Sequence, residues 1–361
     1  MLNQQALLKH NWYSAPGKSI LDLIEQRSIP KSTLPDILNI SHTTLEDLLN
    51  GYKAIDNSIA TKLSKEIGGS VQFWIKREEQ FREDLLRLEN ISIDKLLSDF
   101  DVNYVSKNSL SNGSVTQKDK FLNFFDVPDF PSWKLKYSDL FKRVYFKKSH
   151  TLQSKKVGLA TWLRCAEIHS NTIKTSSWDK DKLIASLDDI RRLTKEKDPN
   201  IFIPHLKDIF ASCGVKFLIL KTPKGCPISG AIRFIDENPV LVLSLRYKSD
   251  DHFWFTIFHE IGHLIQHNIQ DIFLEDRTDQ SDVDKIEGEA NYFAEKTLLS
   301  GLDKDALKRI SISHRNIVRK AVELNISPGI LVGQLQFYEI VSHKHFNNLK
   351  RRYTWDNNIT Q

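Results

Sequence analysis

His259 and His263 stand four residues apart in the stretch FTIFHEIGHLIQHN, and Glu260 directly follows the first of them. On an α-helix this spacing puts both imidazoles on one face, where they can grip one ion, and turns Glu260 roughly 100° around the axis. Such a carboxylate can reach a water on the open side of a zinc ion and remove its proton, because zinc lowers the pKa of that water toward about 7. The feature therefore demands a helix with a buried face, here Phe258, Ile261 and Leu264, and a second element that brings another ligand. Gly262 lets another backbone approach.

A zinc site of the two-histidine, one-carboxylate class takes a third protein ligand and leaves its fourth position to water. The downstream segment EGEANYFAEKTLL offers Glu287 and Glu289 on a helix whose buried face reads Ala290, Phe293, Ala294 and Leu298. Two positions apart, the two acids point in different directions, so one of them binds metal. Glu289 is the expected ligand, with Glu287 in reserve or as a partner to a histidine. His267 lies roughly 12 Å along a straight helix from His259, too far for shared coordination, and is expected on the helix surface or behind a ligand. Gln266 and Ile269 occupy the positions where the longer metzincin pattern needs Gly and His. Tyr292 and Arg246, near the ligand-bearing helices in sequence, are candidates for assisting an oxyanion.

At 361 residues the chain is expected to hold two domains. A formal charge of +5 is mildly basic, which permits a nucleic-acid partner without requiring one. Cys165, Cys213 and Cys226 are odd in number and far apart, which suggests neither a disulfide framework nor a metal knuckle and fits a reducing cytoplasm. No signal-type apolar run and no membrane-length stretch is present, so a cytoplasmic protein without a membrane partner is expected.

From Gly17 to about Leu88 apolar residues recur at helical spacing, with Ser32 and Ser41 as caps and Asn50-Gly51 as a stop, which predicts several short helices in one small domain. The Ser/Asn-rich run VSKNSLSNGSVTQK and the following Pro128 and Pro131 predict a connector, so the expected domains are 1–95, a connector over 96–150, and 151–361. Three apolar segments at 215–220, 230–235 and 240–245, joined by turn-rich loops, predict a small antiparallel or mixed sheet, with antiparallel favoured. Helices are expected at 159–169, 179–193, 201–212, 250–267, 284–299, 303–323 and 327–338. The fold class is therefore α+β, an all-α N-terminal domain followed by a mixed domain that carries the H-E-x-x-H helix. The stretch KRVYFKKSHTLQSKK at 142–156 has no acidic residue and is expected as a solvated face or linker.

The blocks Trp162-Leu163-Arg164, SGAIRF, LSLRYKSDDHFWFTIFHEIGHLIQH, EGEANYFA and ISPGILVGQLQ resemble the ImmA/IrrE family of metallopeptidases over roughly the last two hundred residues. The resemblance implies a thermolysin-like (gluzincin) site holding one Zn2+, with His259, His263 and Glu289 as ligands and Glu260 as general base. It also implies a peptidase with few substrates, typically a transcriptional repressor. LLSG at 298–301 departs from the family, in which a proline commonly follows the second helix.

The N-terminal stretch PGKSILDLIEQRSIPKSTLPDILNISHTTLEDLLNGYKAI, followed by GGSVQFW, resembles the Xre-type helix-turn-helix of HigA-like antitoxins. The resemblance implies a supporting helix at Ser32–Leu38 and a recognition helix at Ser41–Asn50, with His42, Thr43, Thr44 and Asp47 facing a major groove. Lys31 and Lys53 would then supply phosphate contacts, because the recognition helix carries Glu46 and Asp47 but no Arg or Lys. Pro35 departs from the small residue usual in the supporting helix and is tolerated only in its first turn. DNA binding through residues 17–80, a homodimer, a toxin partner and a protein substrate are the partners so implied. Two functions compete: a cytoplasmic regulator that is also a zinc-dependent endopeptidase, and an antitoxin-type DNA-binding repressor whose zinc site is structural or sensory.

Overall fold

The computed structural model describes residues 14–88, 93–108, 116–144, 156–224, 226, 228–244, 248–267 and 280–353. The chain divides into two compact units, Met1–Tyr145 and Phe146–Gln361.

The first unit is helical throughout its described residues: α1 (Pro16–Gln26), α2 (Leu34–Leu38), α3 (His42–Leu49), α4 (Asn57–Glu66), α5 (Val71–Leu88), α6 (Ile93–Asp99), α7 (Val102–Asn108), α8 (Gln117–Phe125) and α9 (Phe130–Val144). Ile20, Leu34, Leu38, Leu45, Leu48 and Leu63 fill a core shared by the first five. A 3-10 turn at Lys31–Thr33 leads into α2 and puts Pro35 in the first turn, where its missing N–H costs no helical bond. Asn39, left-handed at φ 50°, ends α2, and the Ser41 hydroxyl accepts the Thr44 N–H to start α3. The result is two short helices joined by a tight turn.

The stretch read as a connector is largely helical instead. Its Ser/Asn-rich residues 109–115 lie outside the described ones, but α8 and α9 bury Phe121, Phe124, Phe125, Phe130, Trp133 and Tyr137. These rings pack edge-on and tilted, with Phe121 and Phe125 4.8 Å apart and Phe125 and Tyr137 5.2 Å apart. The basic run 142–156 lies outside the described residues apart from the end of α9 and Lys156.

In the second unit α10 (Lys156–Ser170), α11 (Lys180–Ala185), α12 (Leu187–Leu193) and α13 (Pro199–Ser212) precede a sheet of β1 (Lys216–Ile219), β2 (Gly230–Ile235) and β3 (Asn238–Leu243). The helix expected over 179–193 is broken at Ser186, which ends α11 and starts α12. The strand order is β1-β3-β2, with β1 parallel and β2 antiparallel to β3. The sheet is thus mixed: the β2–β3 turn, with Asp236 left-handed at φ 55°, makes a hairpin, and β3 returns beside β1.

There follow α14 (Asp250–Gln266), α15 (Gln280–Leu298), α16 (Lys304–Lys308), α17 (His314–Glu323) and α18 (Pro328–Phe337). The single helix expected over 303–323 is two, separated by a stretch in which Ser313 caps α17 through the Asn316 N–H. Alternate residues of the sheet, Phe217, Ile219, Leu241 and Leu243, share one core with Phe258 and Ile261 of α14, Ala294 and Leu298 of α15, and Leu331 and Leu335 of α18. Among the described residues no helix is long and apolar enough to cross a membrane.

Segment 347–353 braces the start of α14. Asp250 accepts the Arg351 N–H at 3.0 Å and the Ser327 hydroxyl at 2.7 Å, and Lys350 Nζ meets Asp251 Oδ2 at 2.6 Å. Two carboxylates in the first turn also complement the helix dipole. Burial raises the Asp250 carboxyl to about 6. Burial pushes Asp251 up as well, but hydrogen bonds from His252, Lys350 and Ser249 outweigh it and hold that carboxyl below the usual range.

Candidate metal centre

Residues 250–266 form one uninterrupted helix, so the four-residue spacing does its expected work: His259 Nε2 and His263 Nε2 lie 3.1 Å apart with their rings at 89°. The second helix reaches them because Gly262 has no side chain. A Cβ there would stand 3.1 Å from Phe293 Cδ1 and 3.2 Å from Ala290 Cα, so α14 and α15 cross at closest approach beside the histidines.

That contact sets which acid faces the histidines. Glu287 Oε1 is 3.3 Å from His263 Nε2, and Glu287 Oε2 is 3.6 Å from His259 Nε2. His259, His263 and Glu287 form the three-donor group that could hold a metal ion. Glu289, the ligand expected from sequence, lies roughly 200° further round α15 and is turned away from the pair. Its Oε2 lies 3.7 Å from His267 Nδ1 and its side chain is 45% exposed. The helix phase explains the difference: Ala290 and Ala294 mark the buried stripe of α15, and Glu287 borders the same side of the helix as Asn291, one turn on.

Asn291 was missed by the sequence reading. Its Oδ1 is 2.9 Å from His259 Nδ1. An amide oxygen only accepts, so Nδ1 carries the proton and Nε2 keeps its lone pair for a cation. The four-residue spacing from Glu287 to Asn291 was the available signal.

The donor set fits zinc. Ligands held at roughly 2.0–2.1 Å in a tetrahedron are about 3.3 Å from one another, and the three separations here bracket that value. Two imidazole nitrogens and a carboxylate facing each other are donors that suit a divalent cation at their centre.

Glu260 is buried one residue from the first histidine, and burial raises its carboxyl to about 7, helped by the Glu287 charge and opposed by His263. It sits under the sheet: a Cβ on Gly230, the first residue of β2, would lie 2.8 Å from Glu260 Oε1 and 2.8 Å from Thr256 Cγ2. Glycine at that position lets the strand pass directly over the carboxylate.

Residues 216–331 match the family model of the IrrE N-terminal-like domain of peptidase family M78. The matched segment begins at β1 and contains all three metal-ligating candidates, Asn291 and Glu260. The match supports the peptidase part of the ImmA/IrrE resemblance and marks this as a metallopeptidase-like site. No curated protein and no solved structure matches the chain.

The other candidates fall outside this three-donor group. His267 is turned inward beside Glu289 and lies outside the three-donor group. Tyr292 is 61% exposed with Lys296 Nζ over its ring, so it faces solvent, and Arg246 lies outside the described residues. In the first unit His42 is exposed, Thr43 and Thr44 are half-buried, and Thr44 takes part in the cap of its own helix. Lys31, Lys53 and Asp47 are all in ion pairs: Lys31 with Glu46 at 2.8 Å, Lys53 with Asp126 at 2.9 Å, and Asp47 with Lys136 at 2.5 Å.

Proposed function

We propose that this chain is a cytoplasmic zinc-dependent endopeptidase that cuts one or a few proteins, a transcriptional regulator among them, with an N-terminal helix-turn-helix that localises it on DNA. The observation carrying the peptidase reading is the buried Glu260, poised beside the His259, His263 and Glu287 donors and covered by the glycine end of β2.

When bound, zinc supplies Lewis acidity that acidifies a water and polarises the carbonyl of a peptide bond. His259, His263 and Glu287 hold the ion, and Asn291 keeps the His259 proton on Nδ1. Glu260, buried beside the donors, would take a proton from the attacking water onto a carboxylate oxygen and return it to the amine as the C–N bond breaks. Among the described residues β2 lies at the edge of the sheet order, the position at which an extended peptide could pair with a strand next to that carboxylate.

A structural zinc in a DNA-binding repressor is the rival. Structural sites are closed by four protein ligands, whereas three donors group here among the described residues, and a structural ion has no use for a buried general base. The deciding experiment compares cells carrying the wild type or Glu260→Gln by terminal-peptide proteomics under stress. Cleavage products present only with the wild type are expected; identical peptide patterns would remove the enzyme reading.

A further inference from the structure

One residue of the α3 face expected to meet DNA, Asp47, is engaged within its own unit. Lys136, on α9, places Nζ 2.5 Å from Asp47 Oδ2, and the two side chains are 11% and 17% exposed. A charge pair so withdrawn from water is screened weakly by salt and holds its helices in one register. In the loop that follows the same, C-terminal end of α3, Lys53 Nζ is gripped by both oxygens of Asp126, at 3.1 and 2.9 Å, from the left-handed residue that ends α8. A third tie runs from Arg82 Nη1 to the Ser132 hydroxyl at 2.5 Å, the same nitrogen donating to the Gly51 carbonyl at 2.9 Å.

The α8–α9 pair thus meets α3 and its following loop with complementary charge: an ammonium on the acidic helix and a carboxylate on the basic loop. Asp126 occupies the anion position on Lys53 that a DNA phosphate would need. The pair also has a nucleus of its own in the Phe121, Phe125, Trp133 and Tyr137 rings, separate from the Leu34, Leu45 and Leu63 core of the helices that carry α3. α9 also rests on α5, where the half-buried Arg82 bonds Ser132, so it is the Lys136–Asp47 and Lys53–Asp126 ties to α3 and its loop that can open while each apolar cluster stays packed.

We infer that the α8–α9 hairpin is an intramolecular latch over the α3 face, and that the chain binds duplex DNA only after the Lys136–Asp47 and Lys53–Asp126 pairs open. This rests on the reading of α3 as a DNA-contact helix. A binding-competent state that is a small fraction of the whole lowers apparent affinity by that fraction, so weakening the latch raises it.

The test uses the full-length chain with Lys136→Glu and Asp126→Asn together. The first sets like charges against each other at Asp47; the second frees Lys53 while keeping a residue suited to the left-handed conformation. Neither change touches α3, Lys31 or Lys53. Binding to a random-sequence duplex pool at low salt is read by fluorescence anisotropy, and opening by hydrogen exchange across 42–53 and 117–137. The expected result is faster exchange together with DNA affinity raised roughly tenfold or more over the wild type. Unchanged exchange, or wild-type affinity equal to the variant's, overturns the latch. Faster exchange without DNA binding instead overturns the DNA reading of α3 and leaves a protein-contact face. If the double variant does not fold, Lys136→Met, which keeps the packed stem and removes only the charge, is read in the same way.

Discussion

His259 Nδ1 and Asn291 Oδ1 meet at 2.9 Å across two helices, so a residue outside the three-donor group sets the proton position of one inside it. Outer partners of this kind typically change metal affinity by roughly ten- to a hundredfold when removed. Asn291→Ala is therefore expected to lose zinc to a chelator at about that ratio more readily than the wild type, while Asn291→Asp, which still accepts from Nδ1, holds it. Equal affinities in Asn291→Ala and wild type would show that the hydrogen bond does not orient the ligand.

The two acids of α15 make opposite predictions. Glu287→Ala removes one of three donors and should leave the purified protein with little zinc, whereas Glu289→Ala should retain about one zinc per chain. Metal analysis after dialysis decides between them, and the reverse outcome would restore Glu289 as the ligand.

Gly230 tests the contact between strand and base. In Gly230→Ala the added methyl would fall 2.8 Å from Glu260 Oε1, so the carboxylate or the strand must shift. Zinc content should be unchanged and cleavage of the identified substrate should fall, by roughly a hundredfold if the general base moves by about an ångström. Full cleavage by this variant would mean that the carboxylate has room to spare.

Asp250 and Asp251 predict a pH profile for stability. The fold raises the Asp250 carboxyl above its ordinary 3.8 to about 6, so its stabilising contribution is complete below 3.8 and is lost as pH rises through about 6. Asp251 is depressed, so its contribution is present above its unfolded value and disappears as pH falls toward its folded one. Asp250→Asn keeps the shape and an oxygen for the Asp251 and Arg351 N–H groups. Its melting temperature should match that of the wild type near pH 4 and exceed it above pH 7, by the equivalent of about 3 kcal/mol at most. A constant difference across that range would contradict the raised carboxyl.

What the sequence by itself determined is local. The His259–His263 spacing is meaningful only on a helix, Phe258, Ile261 and Leu264 bury one side of it, and that helix runs from Asp250 as read. The strand at 230–235 and the pair of short helices around Asn39 were likewise legible, because each depends on neighbours within a few residues, whereas the start at Leu34 that puts Pro35 in a first turn was not. The tertiary structure decided the rest. Glu287 rather than Glu289 faces the histidines because the phase of α15 follows from its contact at Gly262, a packing choice that no window of sequence contains. The mixed sheet arises because β3, not β2, returns beside β1, a pairing between strands far apart in the chain. The stretch read as a connector became helices because Phe121, Phe125, Trp133 and Tyr137 find one another in space, and burying those rings outweighs the turn-forming residues between them.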